Sequence, residues 1–150
     1  MEIQTAHFGT ENIDETKIVT FENGLPGLED NHRFVLLSYD DSKPICWLQS
    51  LDYSEVSLPV LDPFVVCPDY SFEIPQGDID ALEINKLNEV YILCILVIPR
   101  AISAMTINLT APIVLKVRNS RARQIILDDR RYGVRVPVLE LLRASVKGGK

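Results

Sequence analysis

The stretch Val90-Tyr91-Ile92-Leu93-Cys94-Ile95-Leu96-Val97-Ile98 decides the fold. Apolar side chains fill both alternations: Val90, Ile92, Cys94, Leu96 and Ile98 on one, Tyr91, Leu93, Ile95 and Val97 on the other. A strand with that pattern is covered on both faces, whereas a strand with one wet face alternates polar and apolar. The same letters suit a short buried helix, but the β-branched content and the terminal Pro99 favour a strand. It is expected to be the central strand, with Cys94 almost fully buried. At about ten residues the run is half the roughly twenty that a membrane-spanning helix requires.

Working outward, turn signals recur every ten residues or so, as in all-β sandwiches and barrels. Strands are expected at Ile3–Phe8, Ile18–Phe21, Phe34–Tyr39, Ile45–Leu51, Val56–Leu61, Met105–Asn108, Ile113–Val117 and Arg123–Leu127. Asn23-Gly24 and Leu25-Pro26-Gly27 form one breaker, and Asp40-Asp41-Ser42-Lys43-Pro44 reads as a hairpin loop. Two short helices are expected. One covers Asp78–Glu83, with Asp78 as an acidic N-cap. The other runs from Pro137 to Val146, with Pro137 near its first position. Lys147-Gly148-Gly149-Lys150 reads as a frayed end. The fold class is mostly β: a compact, single-domain, antiparallel β-barrel-like fold with one or two short helices. Residues 1–137 form the β domain and 138–150 a C-terminal extension.

A chain of 150 residues buries about 70% of its unfolded surface and holds a core without disulfides or metals. The three cysteines, Cys46, Cys67 and Cys94, lack C-x-x-C spacing and read as reduced, buried thiols. The N-terminus Met1-Glu2-Ile3-Gln4 lacks the basic and apolar regions of a secretory signal. A soluble, cytoplasmic monomer that does not engage membranes is expected. Charge is segregated: residues 1–115 carry 18 acidic against five basic side chains, a net of −13, and residues 116–150 ten basic against three acidic, a net of +7. An acidic body suits a basic partner and disfavours phosphate backbones.

The residues carry little catalytic chemistry. There is no G-x-S-x-G, P-loop, G-x-G-x-x-G or zinc spacing in the sequence. His7, expected at a strand end, and His32, in a loop, are the only histidines and read as ordinary surface or half-buried side chains. The acid pairs Glu29/Asp30, Asp40/Asp41, Asp78/Asp80 and Asp128/Asp129 lie in turns or at a helix start, where aspartate serves the backbone. Trp47 reads as a core side chain. Neither catalysis, cofactor nor metal is expected. A rival reading is a small barrel that binds nucleic acid through the basic 116–135 stretch: Lys116, Arg118, Arg121, Arg123, Arg130 and Arg131. Tyr132 is the one aromatic there, whereas a base-stacking groove calls for several, so direct nucleic-acid binding is not expected.

Several strings carry a family likeness in order: Phe21-Glu22-Asn23-Gly24-Leu25-Pro26-Gly27-Leu28-Glu29, Arg33-Phe34-Val35-Leu36-Leu37, Pro44-Ile45-Cys46-Trp47-Leu48-Gln49-Ser50, Pro63-Phe64 and Pro68-Asp69-Tyr70-Ser71-Phe72-Glu73. Met105-Thr106-Ile107-Asn108-Leu109-Thr110-Ala111-Pro112-Ile113, Gln124-Ile125-Ile126-Leu127, Tyr132, Arg135 and Pro137 follow. Over residues 2–137 the chain resembles the FliW flagellar assembly factors of bacteria. The resemblance implies a non-enzymatic, β-barrel-like protein with two partners. One is CsrA, the RNA-binding translational repressor that silences flagellin mRNA; the other is flagellin, whose export frees the factor to antagonise CsrA. Pro59 departs from the family's more apolar strand and suggests an edge or bulge.

The segment Pro68-Asp69-Tyr70-Ser71-Phe72-Glu73 is the candidate partner-binding surface, with Asp69, Tyr70, Phe72 and Glu73 as its site residues. It places aromatics beside carboxylates, and Pro68 and Pro75 bracket and stiffen it. The expectation includes an exposed Tyr70; the alternative is that Tyr70 and Phe72 seal one end of the barrel.

Overall fold

The computed structural model describes residues 1–117 and 120–148. In chain order the strands are β1 Glu2–Gln4, β2 Thr10–Asn12, β3 Ile18–Phe21, β4 Arg33–Ser38, β5 Cys46–Ser50 and β6 Ser57–Leu61, then β7 Val90–Val97, β8 Thr106–Ile107, β9 Ile113–Lys116, β10 Arg121–Gln124 and β11 Val136–Pro137. The helices are α1 Gln76–Leu82 and α2 Val138–Gly148.

Seven strands close a barrel in the order β7-β6-β5-β4-β3-β10-β9 and back to β7. Every pairing in the ring is antiparallel except β3 with β10. The expected mostly-β, barrel-like fold with two helices is what the structure has. β7 is its most connected strand. One edge takes β6; the other takes β9 along Val90–Leu93 and β8 along Leu96–Val97. β8 in turn pairs with the short β11.

The double apolar alternation of β7 follows from this position. Leu93 and Ile95 face the barrel interior with Phe21, Phe34, Leu48, Val60 and Ile113. Cys94, wholly buried, and Leu96 face outward into a second cluster with Tyr70, Ile107, Leu109 and Val138. Coverage stops toward the ends, where Tyr91 is 63% and Val97 59% exposed, so the strand is covered on both faces only in its middle. Truncating one of the core phenylalanines to alanine typically costs about 3–5 kcal/mol.

The N-terminal segment differs from the single strand expected over Ile3–Phe8. It is a ribbon, β1 with β2, laid over the outside of β4 and β5, where Ile3 and Ile13 pack on Val35. Trp47 therefore lies outside the barrel interior. His7, in the turn of the ribbon, stands 5.0 Å from its ring and Phe8 5.7 Å, and Phe8 stacks on Tyr39 at 4.0 Å. The outward Gln49 is fully buried because its amide serves four backbone groups, accepting from Ala6 and donating to Ser50, Ser54 and Val56.

Gly24 has φ +68°, and a side chain there would meet the backbone oxygen of Glu29 at 2.6 Å, so the Asn23-Gly24 turn requires glycine. Pro59 lies in the part of β6 that pairs with β5, below the Val60–Leu61 pairing to β7, so its missing N–H costs no bond in that pairing. Cys46 and Cys67 are half-buried, unlike the buried thiols expected; only Cys94 is in the core.

α1 begins at Gln76, two residues before the expected Asp78 cap; Pro75 takes the cap position and Asp78 falls in the first turn, paired with Arg123 at 3.1 Å. α2 starts one residue later than expected and runs on to Gly148, docked by Val138 and Leu141. Of the frayed end expected at Lys147–Lys150, Lys147 and Gly148 belong to the helix, and Gly149 and Lys150 lie outside the described residues. No helix among the described residues is long and apolar enough to cross a membrane.

Candidate functional site

After β6 the chain makes a single 3-10 turn, Pro63–Val65, capped by the Asp62 carboxylate, which accepts from the Phe64 N–H at 2.9 Å. It then runs through Pro68–Glu73 to α1 without regular structure. Side chains and neighbouring loops, not a sheet, hold this segment.

Tyr70 is the anchor. It is only 3% exposed, which overturns the exposed tyrosine expected from the sequence. Its ring packs against Phe64, Phe72 and Tyr132, with centroids at 6.0, 5.5 and 4.6 Å. Its hydroxyl donates to the carbonyl oxygen of Leu109 at 2.7 Å. Burial drives the phenol's pKa well above its ordinary value. Phe72 is half-buried between two hydrophobic clusters. The carboxylates of Asp69 and Glu73 remain at the surface. The segment thus divides by residue: Tyr70 seals, while Asp69 and Glu73 project.

A second tyrosine holds the backbone. The Ser71 N–H donates to the Tyr132 hydroxyl oxygen at 2.9 Å, and that hydroxyl donates to the Ser71 carbonyl at 3.0 Å. Arg131 reaches the same carbonyl at 3.4 Å while gripping Asp129 with two nitrogens, the shorter contact 2.7 Å. Those hydrogen bonds hold the Asp129 carboxyl below the usual carboxylate range. Tyr132 is itself tied to the turn between β8 and β9: its carbonyl accepts from the Thr110 hydroxyl at 3.0 Å, and the Leu109 N–H donates to the Gly133 carbonyl at 2.9 Å. Three strings far apart in sequence, around Tyr70, Leu109 and Tyr132, therefore meet at one place. The sequence signalled each string but not their union, because a tyrosine hydroxyl bonding a distant carbonyl leaves no periodic pattern.

Two surface clefts flank the segment. One, of about 510 Å³, is polar and lies between Ser71–Glu73 and Leu127–Arg131. The other, of about 610 Å³, is apolar, with Val90 and Ile92 of β7 on its floor and Phe64, Phe72, Ile74 and Ile79 on its walls. Acceptors and apolar faces of this kind suit recognition of a protein surface. Among the described residues no group of three or more His, Cys, Asp or Glu side chains is placed to hold a metal ion.

Among the described residues of the basic stretch, Lys116, Arg123 and Arg131 are spent on partners within the chain. Lys116 is 5% exposed, its amine donating to the Glu83 carbonyl and pairing with Glu89 at 3.6 Å. Arg123 is committed to Asp78 and Arg131 to Asp129. Tyr132 is committed to Ser71. Arg118 lies outside the described residues. Sequence reading missed the burial of Lys116, because a lysine amine is buried only when a carbonyl and a carboxylate meet it, here from residues about thirty positions away.

Comparison with known proteins gives one answer. The model of the family described as FliW protein matches residues 2–138. The flagellar assembly factor FliW of Thermoanaerobacter pseudethanolicus is 39% identical over 144 residues, covering 95% of this chain and 96% of that protein. The same-named protein of Caldanaerobacter subterraneus subsp. tengcongensis is 40% identical with equal coverage. A crystal structure of the flagellar assembly factor FliW superposes with a TM-score of 0.87 at 30% identity, over 92% of this chain and 96% of that one. With the family model spanning the whole barrel and its packed loops, the chain belongs to the FliW family of flagellar assembly factors.

Proposed function

We propose that this chain works in the cytoplasm as a partner-switching regulator: it binds CsrA, relieves repression of flagellin synthesis, and is withdrawn from CsrA by binding flagellin. The observation that carries the reading is the locked segment at Asp69–Glu73. Tyr70 and Tyr132 fix its backbone from two sides, and two carboxylates stand free on it. A surface held rigid before binding loses little entropy on association. A repressor that binds RNA carries a basic face, and an acidic body of net −13 over residues 1–115 complements it. Membership of the flagellar assembly factor family supports the choice of partners. Asp69, Phe72 and Glu73 are the contact residues, and Tyr70 is the post that positions them.

The test is capture of purified CsrA and purified flagellin by the chain and by its Asp69→Lys/Glu73→Lys variant. Both partners bind the parent, and at least one binds the variant ten times more weakly at unchanged melting temperature. Equal binding by parent and variant removes these residues from the interface.

A further inference from the structure

We infer that α2 and the turn beside it form a docking face for an anionic phospholipid bilayer, with the helix lying in the plane of the interface. The inference goes beyond the partner-switch reading and stands independently of it.

α2 is apolar around more of its circumference than the barrel covers. Val138 and Leu141 dock it on the outer cluster. Leu139 and Leu142, one turn apart, are left on the uncovered side, 38% and 40% exposed. α2 packs on the 3-10 turn Ile102–Ala104, and there Ile102 is 68% exposed. None of the three lines either cleft beside the Tyr70 segment. Aliphatic side chains that project from a helix and a turn suit a fluid interface, into which they can sink together.

Charge selects the bilayer. Residues 130–150 hold six basic residues against the single acid Glu140, and residues 97–109 hold Arg100 and no acid. Arg131 is spent on Asp129. Arg100, Arg130, Arg135 and Arg143 are exposed, and among the described residues none of the four takes part in an ion pair. Arg143 follows Leu142 directly, Arg135 lies just before α2, and Arg100 stands two residues before Ile102. Cations thus flank the exposed aliphatic side chains. Helices that lie among lipid headgroups have this pattern, because anionic lipid attracts the cations and the apolar area holds the helix down. The body of the chain, net −13 over residues 1–115, is repelled by the same surface. The segregation of charge therefore orients the molecule with α2 toward the lipid. A nucleic acid would use the arginines but leave the aliphatic side chains in water, and Tyr132, the aromatic of this stretch, is committed to Ser71.

This departs from the expectation of no membrane contact, which rested on the lack of a long apolar run. A helix in the interface plane needs no such run. One short helix with a few cations gives reversible attachment, not an anchor.

The test is sedimentation of the intact chain with vesicles of phosphatidylcholine alone and with vesicles of equal parts phosphatidylcholine and phosphatidylglycerol. The variants are Arg135→Glu/Arg143→Glu, Leu139→Ser/Leu142→Ser and Ile102→Ser. The last alters an exposed turn residue, so it decides the apolar contribution if the leucine variant melts early. The parent is expected to bind the anionic vesicles about tenfold or more tightly than the neutral ones, and the charge variant to lose that preference. The apolar variants are expected to weaken binding several-fold at unchanged melting temperature. Equal binding to the two kinds of vesicle, or no binding to either, overturns the proposal. So does a series in which the charge variant alone is weakened, which would show adsorption of cations without insertion. A single-stranded RNA and a labelled leucine–glutamate helix are titrated in parallel. If either binds the parent and not the charge variant while the anionic vesicles do not sediment the chain, the face belongs to nucleic acid or to an acidic protein, and the bilayer assignment fails.

Discussion

The hydroxyl of Tyr70 donates to the Leu109 carbonyl at 2.7 Å, joining the loop that leaves β6 to the turn between β8 and β9. The two residues are neighbours in the outer cluster that also holds Cys94, so the bond sits in an apolar setting where an unmatched carbonyl is costly. Tyr70→Phe is expected to lower stability by about 1–2 kcal/mol in urea titration. Tyr132→Phe removes a bond at the surface instead; it is expected to cost at most about 1 kcal/mol, while accelerating amide exchange at Ser71 and weakening partner binding. Unchanged exchange at Ser71 would show that the second tyrosine does not hold the segment.

Lys116 joins the Glu83 carbonyl to Glu89 from within the wall of the barrel. Glu83 closes α1 in a left-handed conformation at φ 56°, so the amine secures the end of the helix that walls the apolar groove. Lys116→Met leaves Glu89 without its partner and is expected to destabilise by about 2–3 kcal/mol. Adding Glu89→Gln is expected to recover part of the loss in the same denaturation series; a double variant as unstable as the sum of the singles would show that the two side chains do not act as a pair.

Alkaline pH probes the packing around β7. Burial pushes the Cys94 thiol up to about 12, with the neighbouring Tyr70 hydroxyl drawing it partly back. The Tyr39 phenol is likewise pushed up to about 12 by burial and by its bond to Glu11. Raised values mean that the unfolded chain loses these protons first. The stability they confer is complete below the unfolded thiol's value of about 8.5 and is lost as pH climbs through 9 toward 12. Urea midpoints measured from pH 7 to 11 are expected to fall above pH 9. Cys94→Ala should start lower and fall less steeply; parallel curves for parent and variant would contradict the role of the buried thiol.

The free carboxylates of Asp69 and Glu73 are expected to act on encounter more than on residence. Screening shortens from about 10 Å at 0.1 M salt to about 3 Å at 1 M. Stopped-flow association with CsrA should therefore slow as salt rises, and Asp69→Asn/Glu73→Gln should lower the on-rate more than it raises the off-rate. An on-rate indifferent to salt would remove electrostatic steering from the account.

Periodic features were readable from the sequence, and convergent ones were not. The double alternation of Val90–Ile98 places a central strand because two-sided coverage leaves a mark on every residue. Asn23-Gly24 marks its turn because only glycine fits a positive φ against Glu29. The strand β2 and the paired ribbon escaped, since Thr10-Glu11-Asn12 is polar and its pairing depends on β1. Tyr70 in an acidic, proline-bracketed string has the letters of an exposed recognition residue, and only its contact with Leu109 turns it inward. Trp47 has the sequence setting of an interior side chain because strands do bury tryptophan, but the ribbon that covers it from outside is not periodic with it. Asp69 and Glu73 keep the exposure that their types suggested.

The central claim is that the chain acts on RNA only through CsrA. The direct measurement is fluorescence anisotropy of a labelled flagellin mRNA leader, first alone with the chain, then saturated with CsrA and titrated with the chain, with flagellin added last. The account predicts no anisotropy change from the chain alone, a fall to the free-RNA value as the chain is added to the CsrA complex, and recovery when flagellin withdraws it. An anisotropy rise with the chain alone, or a CsrA complex that the chain leaves intact, would contradict it.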